Sequence, residues 1–346
     1  MTEALGIGPS ATAAPALTPA TERVRVETTP REVLVARFLP AAGERVVKID
    51  LPFADALEAL LQRIERSTPR GVVFLGPGPG LFLAGADIAL IRDLRDPLEA
   101  QRLAGRGQRI FERIARLSPP TLAAISGACL GGGFELALAC RWRIASDHPK
   151  TRIGLPEVRL GIVPGFGGTQ RLPRLLGLAR ALPPILAGTS YPAKAALRLG
   201  LVDDVVPEER LEELAEKGVL GELGLPRRRP ARLFDRLPPV RHLVAAAARR
   251  RTLRQTRGKY PAPLRAIDVA SRGLGMSLER GLELEGRALA ETATGAVSKS
   301  LVRLYFLQES AKRFASLGGK EVEPGVARAA VVGCGTMGGG IAILLA

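Results

Sequence analysis

Two glutamates in this chain have the residue type and the surroundings that acid–base chemistry needs. Glu135 lies three residues after Gly132, in the first turn of a predicted helix, and Glu157 follows Pro156 in the segment GLPEV. Two carboxylates around one water molecule could orient it for attack and carry its protons. If the two are close, their repulsion and apolar surroundings would raise the pKa of one of them. The alternative for each is an ordinary charge at a helix terminus, because their separation of 22 residues says nothing about proximity.

Two glycine-rich loops could form a second chemical feature, a site for an oxyanion. The segments FLAGADI (82–88) and ISGACLGGGFEL (125–136) each follow a predicted strand and lead into a predicted helix. Glycines at the start of a helix expose backbone N–H groups, and the helix dipole favours negative charge there. Two N–H groups from separate loops could hold one oxyanion. The plainer interpretation is that the glycines only permit tight turns.

An alternation of strands and helices must position these residues. Runs rich in Val and bounded by Pro and Gly predict strands at 32–38 and 45–50, and short apolar runs predict buried strands at 71–75 and 121–125. Apolar residues at helical spacing predict helices at 55–65, with Asp55 as the N-cap, and at 97–117. This alternation indicates an α/β domain that reaches about residue 220. The pattern of residues 225–318 predicts helices that are separated by Pro and Gly.

The composition is that of a globular protein with a strong positive charge. The 346 residues include 50 Lys and Arg against 34 Asp and Glu, which gives a formal charge of +16. Three cysteines cannot form a disulfide framework in a chain of this length, so a reducing compartment is expected. The uncharged run at 117–134 contains prolines and glycines that interrupt a membrane-spanning helix. No basic residue precedes Arg23, so we expect a cytoplasmic protein without an export signal or an integral membrane segment.

Arginines cluster at 227–229 and again between 249 and 257. One interpretation is a surface for an anionic partner such as a nucleic acid, and the other is a solvated helix face. Aromatic residues make up only 4% of the chain, and base stacking needs them. The solvated face is therefore favoured, and no nucleic-acid partner is expected.

Four segments, in this order, resemble the crotonase (enoyl-CoA hydratase/isomerase) superfamily: AGADI, SGACLGGGFELALAC, GLPEVRLGIVPGFGGTQRLPRLLG and GLVDDVVP. The resemblance covers about residues 23–210. It implies an α/β fold with a crotonase-like spiral of ββα units, and the hydration of a trans-2-enoyl-CoA without a cofactor or a metal. A Δ3-Δ2-enoyl-CoA isomerase on the same fold is the alternative, because relatives that lack one of the two glutamates mainly isomerise.

The resemblance also implies roles for individual residues. Glu135 and Glu157 would act on the catalytic water, one as base and the other as acid, and the backbone N–H groups of Ala86 and Gly132 would form the oxyanion hole. The other residues expected to bind substrate are Ala84, Gly85, Asp87, Arg92, Gly131, Pro164, Phe166 and Gly167. Of these, Arg92 is the candidate for the CoA phosphates, and Phe166 either lines the acyl site or simply packs.

The second half resembles the linker of the multifunctional fatty-acid oxidation protein, in which a hydratase is fused to an NAD-dependent 3-hydroxyacyl-CoA dehydrogenase. The segment TRGKYPAP (256–263) and the helical stretch to Phe314 carry this resemblance. The tail AAVVGCGTMG (329–338) predicts a strand running into a dinucleotide fingerprint, with Gly333, Gly335 and Gly338 as an incomplete NAD site. The acidic ribose-binding residue expected about 20 residues further on does not follow, so no dehydrogenase activity is expected.

These patterns predict four regions: a flexible tail at 1–22, a hydratase domain at 23–210, a helical linker at 211–325 and an incomplete Rossmann start at 326–346. NAD would serve only a complete parent protein. The resemblance implies a homo-oligomer or a complex with a thiolase β-subunit. A non-catalytic subunit-interaction fragment stays open as an alternative, because the linker helices could leave apolar faces exposed.

Overall fold

The computed structural model describes residues 23–226 and 237–317, and, near the C-terminus, residues 328, 330–333, 335 and 337–345. The chain divides into two compact units, Met1–Arg303 and Leu304–Ala346. The predicted flexible tail at 1–22 and the arginines at 227–229 lie outside the described residues.

A six-stranded sheet forms the centre of the first unit. Its strands stand in the order β1-β2-β3-β4-β6-β8, with β1 antiparallel to β2 and the other neighbours parallel. A short parallel pair, β5 with β7, forms a second sheet. The strands are β1 (Val24–Thr28), β2 (Val33–Phe38), β3 (Gly71–Leu75), β4 (Thr121–Ile125), β5 (Ala128–Leu130), β6 (Trp142–Ser146), β7 (Arg152–Gly154) and β8 (Asp204–Val206).

Helices surround both faces of this sheet. Two short 3₁₀ turns, Glu157–Leu160 and Glu208–Arg210, accompany them. The helices are α1 (Leu51–Ser67), α2 (Ile88–Asp93), α3 (Pro97–Arg116), α4 (Gly132–Ala139), α5 (Gly168–Leu176), α6 (Leu178–Ala187), α7 (Ala193–Leu199), α8 (Leu211–Val219), α9 (Pro238–Thr256), α10 (Pro261–Gly273), α11 (Leu278–Thr294), α12 (Ala296–Leu317) and α13 (Gly338–Leu345).

The side chains of the central strands alternate between two cores. On β3, Val72 and Phe74 pack with α1 and α3, whereas Val73 and Leu75 pack on the opposite face, which α8 covers. Parallel strands buried on both faces need such continuous apolar runs. The predicted strands at 71–75 and 121–125, and the α/β class of the domain, are therefore confirmed.

Two details of the prediction around residue 50 are wrong. The segment 45–50 is not a strand, and it contributes only an isolated bridge between Ile49 and Ala86. The first helix begins at Leu51, and its N-cap is Asp50 rather than Asp55, because the Asp50 carboxylate accepts the Phe53 N–H at 2.9 Å.

The helices after residue 237 take part in the core of the first unit. Ala266 and Val269 on α10 and Ala288 on α11 belong to the main core cluster. The helix α11 packs along α3, and α10 packs against α5 and α6. The sequence suggested a linker from residue 211 onward, but α8, α10 and α11 are here integral layers of the unit that holds the sheet.

The described part of the second unit contains the end of α12 and the helix α13. Residues 330–333 do not form a strand, contrary to the predicted strand at 329–332, of which residue 329 lies outside the description. A strand needs a neighbour to satisfy its backbone groups, and the described residues of this unit contain no other strand. The Gly338 N–H donates to the Gly335 carbonyl at 2.9 Å, so the glycines form a turn that leads into α13.

Candidate active site

An apolar cavity of about 190 Å³ lies between α1, α2, α3 and the loops that precede α2 and α4. Nine of the residues proposed from the sequence line it: Ala84, Gly85, Ala86, Asp87, Gly131, Gly132, Glu135, Glu157 and Phe166. The structure thus brings both glutamates and both glycine-rich loops to one place. Three proposed residues, Arg92, Pro164 and Gly167, do not line this cavity.

The two loops approach each other closely at Gly85. Its backbone has φ +102°, and a Cβ there would lie 2.8 Å from the Leu130 carbonyl oxygen and 3.6 Å from the Gly132 nitrogen. Only glycine tolerates both the conformation and the contact. Within the described residues, the N–H groups of Ala86 and Gly132 donate to no protein acceptor. Two unpartnered backbone donors from separate loops therefore border the same cavity.

Glu135 is fully enclosed at the start of α4. Its Oε1 accepts the N–H of Phe166 at 2.8 Å and the N–H of Gly168 at 2.7 Å. Burial, followed by the charges of Glu157 and Glu285, raises the pKa of Glu135 well above its usual range, and the two amide hydrogen bonds oppose that rise. Burial therefore contributes more to this rise than the repulsion between the carboxyls.

Glu157 lies at the beginning of a 3₁₀ turn directly after Pro156. Its side chain is buried, and its Oε2 has no hydrogen-bond partner among the described residues. Burial raises the pKa of Glu157 to about 8, the charge of Glu285 contributes to the rise, and a hydrogen bond from its own backbone opposes it. A buried carboxylate oxygen without a donor costs free energy. This oxygen is therefore the natural contact for a polar group that enters the cavity.

A third buried carboxylate, Glu285 on α11, was missed by the sequence analysis. Its Oε1 accepts the Gly167 N–H at 2.6 Å, and its Oε2 accepts the Thr169 N–H at 2.9 Å. Burial raises its pKa to about 7, and hydrogen bonds from Thr169, Gly167 and Gln108 oppose the rise. One signal was available: Glu285 lies on the apolar stripe of its helix, three residues after Leu282.

The segment 165–169 connects the cavity to these carboxylates. Phe166 packs its ring edge-to-face on Phe111, with ring centroids 5.7 Å apart, and it lines the cavity wall. Gly167 has φ +115° and is the N-cap of α5, and it presents its N–H to Glu285 instead of to a ligand. Pro164 packs beneath Gly168, where a Cβ on Gly168 would lie 3.1 Å from Pro164 Cβ. Pro164 and Gly167 thus shape this segment from behind the wall.

Arg92, the candidate for CoA phosphates, lies on the surface at the end of α2. Its guanidinium forms an ion pair with Asp93 at 2.7 Å, and half of its side chain is exposed. Its neighbours Leu90 and Ile91 line the cavity, so Arg92 is near the site without entering it. A second arginine, Arg106, does border the cavity and forms ion pairs with Asp55 and Glu58. The phosphate role of Arg92 stays a prediction.

Comparison with known proteins decides the family. Residues 48–219 match the family model described as enoyl-CoA hydratase/isomerase. This region is an enoyl-CoA hydratase/isomerase domain of the crotonase superfamily. The hydratase/isomerase domain includes all nine cavity-lining residues proposed from the sequence.

Solved structures show the same fold. An enoyl-CoA hydratase from Bacillus anthracis is 28% identical, with a TM-score of 0.54, and the match covers 84% of this chain and 97% of that one. The human mitochondrial delta3-delta2-enoyl-CoA isomerase is 24% identical with a TM-score of 0.59, over 84% of this chain and 100% of that one. A carnitinyl-CoA dehydratase from Mycobacterium thermoresistibile is 21% identical with a TM-score of 0.65, over 83% and 90%. These names cover three activities, so the residues of the hydratase/isomerase domain must distinguish between them.

The glycines proposed for an incomplete NAD site, Gly333, Gly335 and Gly338, lie in a turn that leads into α13 in the described part of the second unit. Gly333 and Gly338 approach so closely that a Cβ on Gly338 would lie 1.9 Å from the Gly333 carbonyl oxygen. A dinucleotide-binding unit has a strand before this turn, and residues 330–333 do not form one. The predicted incomplete Rossmann start is not confirmed, and the NAD role of these glycines stays a prediction. Across the described residues, every helix is too short or too polar to cross a bilayer.

Proposed function

We propose that this chain hydrates trans-2-enoyl-CoA thioesters, with Glu135 and Glu157 acting on the water molecule. One observation carries the proposal: Glu157, whose buried Oε2 lacks a partner among the described residues, lines the same apolar cavity as Glu135. A pair of enclosed carboxyls with raised pKa values suits proton transfer near neutral pH.

The two carboxyls would take different roles. Burial raises the pKa of both carboxyls, and part of the rise for Glu135 comes from the charge of Glu157, which is absent when Glu157 is protonated. Two backbone N–H groups favour the ionised form of Glu135, whereas the Oε2 of Glu157 has no donor in the described part of the site, so in our proposal Glu135 is the base that removes a proton from the water. Glu157 has a pKa of about 8 and would be protonated at neutral pH, so it acts as the acid. The water oxygen bonds to C3, the electron pair of the C2–C3 double bond moves towards the thioester oxygen, and Glu157 delivers its proton to C2.

The thioester oxygen gains negative charge during this addition. In our proposal the N–H groups of Ala86 and Gly132 stabilise it, since neither donates to a protein acceptor among the described residues. Loss of one such donor in other enzymes costs about 3–4 kcal/mol of transition-state stabilisation. No cofactor or metal is required, because the carboxyls and amides supply both proton transfer and charge stabilisation.

The acyl chain would occupy the apolar part of the cavity, which is formed by Leu51, Leu57, Leu90, Ile91, Leu94 and Leu103. Burial of the chain against these side chains would contribute hydrophobic binding energy. The CoA portion would remain at the surface near Arg92, which stays our candidate for a phosphate contact. Assembly into homo-oligomers or with a thiolase β-subunit, and a cytoplasmic location, stay predictions.

Isomerisation of a 3-enoyl-CoA is the second candidate. A shift of the double bond needs one carboxylate to move a proton between carbons, and Glu157 has a buried carboxyl oxygen, Oε2, without a partner in the described part of the site. Hydration needs both glutamates, and both are present on the cavity. The presence of both glutamates therefore favours hydration, while the unpartnered Oε2 of Glu157 is the feature that supports isomerisation.

Turnover of the purified chain on two substrate types tests the proposal. A short and a long trans-2-enoyl-CoA report hydration, through loss of the conjugated thioester absorbance, and a 3-enoyl-CoA reports isomerisation. We expect hydration to be the faster reaction and to fall about 10²-fold or more in Glu157→Gln, while Glu209→Gln, an exposed glutamate, behaves as wild type. A folded wild-type chain that acts faster on the 3-enoyl-CoA would favour the isomerase, and one inactive on all three substrates would refute both candidates.

A further inference from the structure

Four successive backbone amides, from Phe166 to Thr169, are shared between two buried carboxylates. Glu135 accepts the N–H groups of Phe166 and Gly168, and Glu285 accepts those of Gly167 and Thr169. We propose that Glu285 is a positioning residue, which fixes the segment 166–169 so that its other two amides hold Glu135 in place for the reaction. The kinetic part of this inference rests on the proposed function.

The contacts of Glu285 occupy both of its oxygens. The side chain is completely buried, and besides the two amides it accepts the Thr169 hydroxyl and the Gln108 Nε2 at 3.3 Å. Removing a charge from water is expensive unless donors compensate it. Packing alone would be served by an apolar residue on this stripe of α11. A carboxylate is required only if the amides themselves must be held.

The segment that Glu285 holds lies at the start of α5, where the backbone N–H groups have no partner within the helix. Gly167 and Gly168 are adjacent, and Gly167 has φ +115°, so the backbone there has a wide choice of dihedral angles. The Gly168 amide lies between the Gly167 and Thr169 amides in the chain, so a backbone movement that frees either of these two is expected to displace the Gly168 amide as well. Release of Glu285 would in this way loosen the two hydrogen bonds of Glu135.

Glu285 also acts through its charge. The carboxylate of Glu285 faces Glu135 on α4 and Glu157 on the 3₁₀ turn. It also faces two uncharged groups, the amide of Gln108 on α3 and the hydroxyl of Thr169 on α5. Its negative charge raises the pKa of both other carboxyls. Removal of the Glu285 charge should therefore lower the pKa of Glu157, whose carboxyl is not an acceptor of the amides at 166–169. A residue with only a packing role would not move this pKa.

The test compares Glu285→Gln with Glu283→Gln in the full chain. Glutamine can accept at one atom only, so it breaks one side of the hydrogen bonding, while Glu283 is an exposed glutamate on the same helix. We expect Glu285→Gln to lower kcat roughly 10- to 100-fold with little change in KM. We also expect the pH profile of kcat/KM to move towards lower pH. A uniform loss at every pH, or behaviour like Glu283→Gln, would overturn the proposal.

A milder variant and a measurement without substrate keep the test decisive. Thr169→Val keeps the N–H but removes the hydroxyl bonded to Glu285, so a smaller loss of kcat is expected if Glu285→Gln does not fold. Hydrogen exchange of the amides at 166–169 should accelerate in Glu285→Gln or Thr169→Val and not in Glu283→Gln. If the wild type does not turn over any enoyl-CoA, the proposed function fails. Unchanged exchange at these amides would then separately refute the positioning role.

Discussion

Glu135 and Glu285 accept the four amides of residues 166–169 in alternation, although 150 residues of sequence separate the two carboxylates. One lies on the first turn of α4 and the other on α11. The wall of the cavity is thereby held by side chains from two distant helices. The site consequently depends on the packing of the C-terminal helices as well as on the loops of the hydratase/isomerase domain.

Replacing Glu135 by glutamine removes the base while keeping an oxygen for the Phe166 and Gly168 amides. We expect Glu135→Gln to lower hydration about 10²-fold or more without unfolding the chain. Steady-state turnover on a trans-2-enoyl-CoA, with a thermal melt of the same sample, measures this. Glu209→Gln serves as the control, and a near wild-type rate in Glu135→Gln would remove this residue from the mechanism.

A side chain at Gly132 should block the site. A Cβ there would lie 2.8 Å from Ile49 Cδ1 and 3.0 Å from Phe166 Cδ2, at the edge of the cavity. Gly132→Val should therefore lower kcat/KM by at least about tenfold, and Gly132→Ala should lower it less. The control is Gly78→Ala, because a Cβ at Gly78 meets no atom within 4 Å. Equal activity of Gly132→Val and wild type would mean that substrate does not pass this glycine.

The pH dependence of hydration should report Glu157. Its pKa is about 8, and the reaction needs its protonated form, which exists below that pH. The value of kcat/KM should therefore fall as the pH rises through about 8. The measurement is a profile from pH 6 to pH 10 at constant ionic strength. A rate that is flat across this interval would contradict the assignment of Glu157 as the acid.

Burial of Glu157 should also make folding stability depend on pH. An unfolded glutamate ionises near pH 4.3, whereas in the folded chain Glu157 keeps its proton until about pH 8. Between these values only the folded state holds this proton, so raising the pH favours unfolding. The free energy of unfolding of Glu157→Gln, relative to that of the wild type, should therefore increase by at least ~1 kcal/mol between pH 5 and pH 8. Denaturant unfolding of both proteins at pH 5 and pH 8 measures this. The same difference in unfolding free energy at the two pH values would show that the pKa of Glu157 is not raised.

The ion pair of Arg143 and Asp203 should be important for stability and not for chemistry. Arg143 is fully buried, its Nη2 lies 2.6 Å from Asp203 Oδ2, and neither residue lines the cavity. Asp203→Ala leaves a buried charge without its partner and should cost about 3–5 kcal/mol. Denaturant unfolding measures this, with Glu283→Gln as the matched surface variant. A loss below about 1 kcal/mol would show that Arg143 finds another acceptor.

Local patterns were enough to identify the strands at 71–75 and 121–125 and the helix at 97–117. They also led to Glu135, Glu157, Ala86 and Gly132, because the motifs carrying them are short and resemble a known family. Local patterns failed where a neighbour decides the structure. The segment 45–50 has the composition of a strand, yet it serves as a connection whose last residue, Asp50, caps α1.

By itself the sequence determined the α/β class, the two glycine-rich loops and the identity of two of the three buried carboxylates. Only the tertiary structure decided that these carboxylates share one cavity, and that Glu285 joins them through the amides at 166–169. The physical reason is that burial and hydrogen bonding are properties of packed neighbours. The raised pKa values of Glu135, Glu157 and Glu285 arise when α3, α4 and α11 exclude water around them, and no local run of residues encodes that exclusion.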